Sequence, residues 1–217
     1  MDFLIELSQY IIENRIEILS LTFEHIVMVV YGIILALVVG IPLGIIAAKF
    51  EKFAPIIISV TSMLQLVPSI AMLAILMIYL GLGLQTMVVG LFLYSLLPIV
   101  RNTYVGIKEV DADIMEAGKG CGMTPLQLLT KVQFPLSIPF LMAGLRIAVV
   151  IAISVAAIGP YIGAGGLGRE IISGISLQSE VKIYAGAIPA TILAILADLV
   201  LGKLEKRMKQ RVGLQNK

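Results

Sequence analysis

Five apolar blocks, each about as long as a bilayer is thick when wound into a helix, dominate this 217-residue sequence. They run from about Ile26 to Ala48, about Ala54 to Leu80, Leu82 or Leu84 to Val100, within Phe134 to Tyr161, and within Ile183 to Leu201. At 1.5 Å rise per residue, about 20 apolar residues cross about 30 Å of hydrocarbon. Backbone in lipid must satisfy its own N–H and C=O groups, which leaves helices or closed barrels. The ten-residue alternating pattern of a barrel strand is absent. The expectation is an all-α, polytopic helical membrane protein with five transmembrane helices. Its 59% hydrophobic and 14% charged residues lie on either side of the values for a soluble domain.

The basic residues orient the spans. With the N-terminus outside, the cytosolic segments hold Lys49, Lys52, Arg101, Lys108, Lys119, Lys131, Lys203, Lys206, Arg207, Lys209, Arg211 and Lys217, while the outside keeps Arg15, Arg169 and Lys182. The positive-inside rule then sets N-out and C-in. Residues 1–24 carry Asp2, Glu6, Glu13, Glu17 and Glu24 opposite Phe3, Leu4, Leu7, Ile11, Ile18 and Leu21. That spacing describes an amphipathic helix, either lying on the membrane or packed on the rest of the chain. The transmembrane domain is bounded at 25–202, with a cytosolic loop at 101–133 and a basic cytosolic tail at 203–217. No basic n-region with a short apolar stretch and cleavage site opens the sequence, so no cleavable signal peptide is expected.

Several chemistries are excluded. A net charge of +2, without a basic patch interleaved with aromatics, argues against nucleic acid as a partner. Cys121 is the single cysteine and His25 the single histidine, so neither a disulfide within the chain nor a Cys/His zinc site can be assembled, and no metal site is expected. No G-x-x-x-x-G-K-[ST] loop occurs, and no nucleophile, metal or acid–base cluster marks an enzyme. Gly163-Ala164-Gly165-Gly166-Leu167-Gly168 satisfies G-x-G-x-x-G, yet it follows a span instead of a strand. A tight turn or re-entrant bend on the outer side is expected there.

Punctuation within the spans is informative. Pro42 and Pro68 each remove a backbone donor inside a span and favour kinks. Gly40 and Gly44 form a small-xxx-small pair that permits close helix approach. Arg146 lies about a dozen residues into the fourth span, where a central position costs roughly 3 kcal/mol unless it pairs, snorkels or meets water. If that span begins near Gly144, Arg146 stands at its cytosolic end instead. Asp198, near the cytosolic end of the fifth span, is expected to pair with a base.

The cytosolic loop carries the densest signals. Asp113 and Glu116 stand at capping-box spacing, and a short helix follows until Gly120 and Gly122. Thr124, Pro125 and Gln127 then read as N-cap, first helical residue and reciprocal cap of a second helix. Pro135 opens the fourth span. A compact helix-turn-helix between two spans can transmit force, whereas a loose loop cannot; the alternative is a folded loop that only shields helix ends.

Glu116-Ala117-Gly118, Gly122 and Val132-Gln133-Phe134-Pro135 resemble the EAA motif of binding-protein-dependent ABC permeases: EAA, three residues, G, nine residues, I-x-L-P. Gly118, Val132 and Phe134 depart from it while keeping small or apolar character. Gln65-Leu66-Val67-Pro68-Ser69, Leu97-Pro98-Ile99-Val100-Arg101-Asn102-Thr103 and the Gly163 to Gly168 run resemble the osmoprotectant branch of that family, which imports glycine betaine, carnitine and choline. The five-span, N-out arrangement is similar to the methionine-importer type of permease.

The resemblance implies a coupling element formed by Glu116, Ala117, Gly118, Gly122, Thr124, Pro125, Gln127, Phe134 and Pro135. It implies as partners an identical or homologous second permease, two cytosolic ATPases holding the ATP and Mg that this chain lacks, and an extracellular or periplasmic binding protein, all at a prokaryotic plasma membrane in contact with lipid. Candidates for the translocation path are Pro68, Tyr94, Arg146, Tyr161 and Gly165. The sequence has no Trp, and Tyr31, Tyr79, Phe92, Tyr94 and Tyr161 are too scattered to form an aromatic cage for a methylated cation. Substrate selectivity is therefore expected mainly in the binding protein. The rival readings are an ABC permease for another small solute, such as an amino acid, and a secondary transporter or channel subunit. For the latter, neither a mid-span acid nor an internal repeat is visible.

Overall fold

In the computed structural model, which describes residues 2–211, the chain forms α1 (Asp2–Glu13), α2 (Arg15–Lys49), α3 (Ala54–Leu66), α4 (Ser69–Leu80) and α5 (Leu84–Lys108). There follow α6 (Ala112–Gly120), α7 (Pro125–Leu128), a π turn at Leu129–Gln133, α8 (Phe134–Ala156), a 3-10 turn at Gly159–Ile162, α9 (Gly168–Ser176) and α10 (Glu180–Arg211). Among the described residues four unbroken helical runs are long and apolar enough to cross a membrane: α2, α5, α7 through α8, and α10. The pair α3–α4 supplies a fifth, broken span.

Small residues decide how these helices meet. Lipid gives apolar surfaces little reason to associate, so backbone approach and van der Waals contact must hold the bundle. Along α2, Gly32, Ala36, Gly40 and Gly44 recur every four residues and are all buried. A Cβ added at Gly44 would lie 2.5 Å from the Thr103 Cβ on α5, and one at Gly32 would lie 2.6 Å from the Leu91 Cβ. The Gly40/Gly44 pair thus works within the chain. On its other face α5 receives α8, where Gly144 lies against the Pro98 carbonyl and Asn102. Met28, Ile33, Leu73, Met87, Leu91, Ile99, Ala152 and Ile153 fill the space between them. Ile78, Val38 and Leu199 stay exposed on the periphery, as suits a surface solvated by hydrocarbon.

Three sequence expectations are corrected. The amphipathic segment 1–24 is not one unit: the helix bends at Asn14, whose side-chain amide donates to the Tyr10 carbonyl, and Arg15 to Glu24 continue into α2. Only α1 is separate, and it packs on the body through Leu7, Tyr10 and Ile11 against Leu167 and Ala185. The second span is interrupted at Val67–Pro68, with a bend of 98° between α3 and α4. At 13 and 12 residues the halves are about 20 and 18 Å long, so neither crosses alone. α10 runs on through the basic segment from 203 to Arg211; residues 212–217, including Lys217, lie outside the described residues. Pro135 does not open a new helix. The run from Pro125 to Ala156 is continuous, and the wider π turn before Pro135 makes room for a ring that would otherwise press on the preceding turn.

Candidate coupling site and translocation path

The α6–α7 hairpin is built from caps. Asp111, not Asp113, is the N-cap of α6, and its carboxylate accepts the Asp113 N–H at 2.8 Å. The two aspartates compete for the role, and the extended backbone of Asp111 (φ −52°, ψ 133°) places it just outside the helix. At the other end Gly122 N–H donates to Lys119 C=O and Met123 N–H to Gly118 C=O. This is a Schellman closure, and Gly122 takes φ 76°, which a residue with a Cβ disfavours. The Thr124–Gln127 capping box is complete: Gln127 N–H donates to Thr124 Oγ1, and Thr124 N–H donates to Gln127 Oε1. Pro125 occupies the first helical position.

Gly118, where the motif has alanine, is buried against Leu128, and a Cβ there would lie 2.6 Å from a Leu128 methyl. The missing methyl lets α6 and α7 close on each other. Leu129 in turn packs on Ala48 and Ile107, tying the hairpin to the ends of α2 and α5. The outward surface holds Glu116, Ala117, Lys119, Gln127 and the exposed side chains of Ile114 and Leu126. Phe134 and Pro135 are half-buried where the π turn passes into α8. This surface is joined to α8 by continuous helix, and to α2 and α5 by packing.

The path candidates do not gather in one place. Pro68 is exposed at the α3–α4 break, next to Val67, whose carbonyl accepts the Tyr94 hydroxyl. The Tyr94 ring is buried, so it braces the break from α5. Tyr161 and Gly165 lie at the other end of the bundle from the hairpin. Tyr161 is exposed in the 3-10 turn, and a Cβ at Gly165 would meet the Glu24 carboxylate, which would have to swing aside. Gly163 and Gly166 take φ 73° and 89°, as expected for a tight turn. Glu24 accepts the Gly166 N–H at 3.0 Å, and together with Arg169, Met28 and Leu84 it lines a cavity of about 310 Å³.

Arg146 lies within the continuous α7–α8 run, level with Asp198, Gly202 and Glu205 near the C-terminal end of α10. It pairs there: Nε and Nη2 donate to the two Asp198 carboxylate oxygens at 2.5 and 2.7 Å, and Glu205 lies 3.6 Å from Nη1. The fork geometry matches a carboxylate and neutralises the charge.

Three further polar positions escaped sequence reasoning. His25 is fully buried, with Nε2 3.1 Å from the Ile153 carbonyl, while Nδ1 has no partner among the described residues and faces Gly166. Tyr10 donates to the buried Glu170 carboxylate at 2.8 Å. Burial first, and then that hydrogen bond, push the Tyr10 phenol well above its ordinary range, so it stays protonated. The third is Glu24 on Gly166. In each case the partner lies more than a hundred residues away along the chain, and no local pattern announces it.

The same architecture occurs in solved transporters. A chain of the MetNI methionine ABC transporter, in an inward-facing form, superimposes with a TM-score of 0.77 at 21% identity, covering 86% of this chain and 93% of that one. An amino acid ABC transporter crystallised with histidines gives 0.73 at 16% identity, covering 94% and 97%. At such identities the likeness is one of fold. Curated relatives are much nearer in sequence. The glycine betaine/carnitine/choline transport system permease protein OpuCD of Bacillus subtilis is 46% identical over 209 residues, which is 96% of this chain and 91% of that protein. The choline transport system permease protein OpuBD of the same organism is 42% identical, covering 100% and 98%. The osmoprotectant import permease protein OsmW of Salmonella typhimurium is 38% identical, covering 90% and 94%. Residues 40–210, from the small-residue ridge of α2 through the hairpin to the end of α10, match the model of one family. The chain belongs to the family of binding-protein-dependent transport system inner membrane components.

Proposed function

We propose that this chain is the transmembrane permease subunit of an ATP-driven importer of quaternary-ammonium osmoprotectants: glycine betaine, carnitine and choline. The observation that carries the reading is its 38–46% identity, over nine-tenths or more of the chain, to permeases named for those solutes or for osmoprotectants in general. The chain sits in the plasma membrane of a prokaryote with its N-terminus outside and the α6–α7 hairpin in the cytosol; the excess of Lys and Arg on the hairpin side supports this. Two such permeases, identical or homologous, enclose the path, since five spans make a poor conduit alone.

Two cytosolic ATPases bind ATP and Mg and dock on Glu116, Ala117, Gln127 and their exposed neighbours, and an external binding protein delivers the solute. ATP-driven closure of the ATPases pushes the capped hairpin as a rigid unit. Through Leu129 and α8 that push moves the helices lining the path, with Pro68, Tyr94, Arg146, Tyr161 and Gly165 the candidates along it. The test is uptake into vesicles holding the permease with its ATPase and binding protein. Labelled betaine, carnitine or choline should accumulate only with ATP. Accumulation without the ATPase, or of methionine alone, would overturn the reading.

A further inference from the structure

Lys49, Lys52 and Lys108 converge with Phe50, Glu51 and Phe53 on one open cavity of about 470 Å³. It forms where α2 ends, α3 begins and α5 ends, immediately beyond the apolar runs of all three helices. The close α2–α5 packing at Gly44 and Thr103 brings Lys108 beside the α2–α3 turn. Lys108 is engaged by Glu51 at 2.7 Å, a pairing that holds the Glu51 carboxyl below its usual range. Lys49 and Lys52 have no carboxylate within 4.0 Å among the described residues, so the rim carries excess positive charge. Beside it Phe50 and Phe53 meet edge to face at 6.2 Å, both more than half exposed. Exposed Ile46 and Ile56 continue the apolar surface from the cavity along α2 and α3.

We propose that this cavity binds the headgroup of an anionic phospholipid of the surrounding membrane. Lys49 and Lys52 hold the phosphate, and the Phe50–Phe53 pair packs on the glycerol and first methylenes. A lipid reaches the site without leaving the bilayer, and it meets charge and apolar surface in the order that a phospholipid presents them. Lysine ammonium groups on flexible stems can rise to the phosphate level while their methylenes stay on the apolar wall. A soluble anion would use the lysines but leave the exposed aromatic pair uncovered. This inference does not depend on the identity of the transported solute.

The experiment is native mass spectrometry of the full chain, reconstituted in mixed phosphatidylglycerol and phosphatidylcholine and then extracted in mild detergent. The wild type should retain phosphatidylglycerol in preference to phosphatidylcholine. The pair Lys49→Gln/Lys52→Gln should weaken that retention by about 30-fold at low salt. Glu51→Gln, which releases Lys108 and removes the one acid of the rim, should raise it. The pair Lys203→Gln/Lys206→Gln on α10 controls for loss of charge elsewhere and should leave it unchanged. Equal retention in the wild type and all three variants overturns the proposal, as does complete displacement of the lipid from wild type by inorganic phosphate. Unchanged lipid retention with loss of a co-purifying ATPase in Lys49→Gln/Lys52→Gln also overturns it, and assigns the patch to protein docking.

Discussion

The Arg146 guanidinium donates to both carboxylate oxygens of Asp198, at 2.5 and 2.7 Å, and so clasps α8 to α10. The two residues are 52 apart in sequence, and each would be a poor choice for a span without the other. Asp198→Ala should lower the melting point only modestly, because both side chains are more than a third exposed and Glu205 remains at 3.6 Å to share the charge. Arg146→Ala should cost more, since it strands two acids. The double change Arg146→Met/Asp198→Leu should recover most of the loss. Thermal unfolding followed by fluorescence-detected size exclusion checks the order; equal melting points for all three variants would show that the clasp contributes nothing.

Gly122 offers a test of the hairpin that leaves packing untouched, because nothing lies within 4 Å of a Cβ built there. The cost of a side chain is then purely that of φ 76°. Gly122→Asn should be mild, Gly122→Asp intermediate and Gly122→Val severe, following each residue's tolerance of the left-handed region. The ratio of solute imported to ATP hydrolysed should fall by about tenfold in the valine variant. A ratio that stays at the wild-type value would remove the hairpin from the coupling path.

Charge reversal at Glu116 probes the same surface by another route. Its side chain is exposed on α6, so Glu116→Lys should leave folding intact. Docking of a partner whose surface complements the wild-type charge should weaken. Co-purification of the ATPase is the readout, and full retention with wild-type uptake would count against docking there.

Orientation can be read with the native cysteine. Cys121 is exposed at the tip of the hairpin, so a membrane-impermeant maleimide should label it in inverted vesicles and not in sealed cells. Labelling in sealed cells would reverse the assigned topology.

Helix approach at Gly44 gives a packing prediction. Gly44→Leu must displace Thr103 and the Val100 carbonyl, the latter 2.9 Å from the added Cβ, and α5 cannot yield without shifting α8. A loss of about 1–3 kcal/mol is expected, with a corresponding drop in folded yield. Val38→Leu, on an exposed face of α2, should be neutral in the same assay.

Much of this protein was legible in local pattern. Span number, the capping box at Thr124–Gln127, the turn at Gly122 and the small-residue contacts of α2 each rest on residues a few positions apart. There intrinsic geometry decides, whatever the rest of the chain does. Local pattern went astray where two readings were locally equal: Asp111 against Asp113 as cap, a kink against a full break at Pro68, and a fresh helix against a π turn at Pro135. Only the tertiary structure chose among them, because the choice depends on what packs alongside. Tyr94 reaches across from α5 to hold the Val67 carbonyl open, and Leu128 fits only because Gly118 leaves space. The long-range polar contacts, Glu24 to Gly166, Tyr10 to Glu170 and Arg146 to Asp198, were beyond any local rule. A buried or membrane-embedded polar group must find a partner, but its sequence position says only that one is needed; which residue answers is settled by how the helices cross.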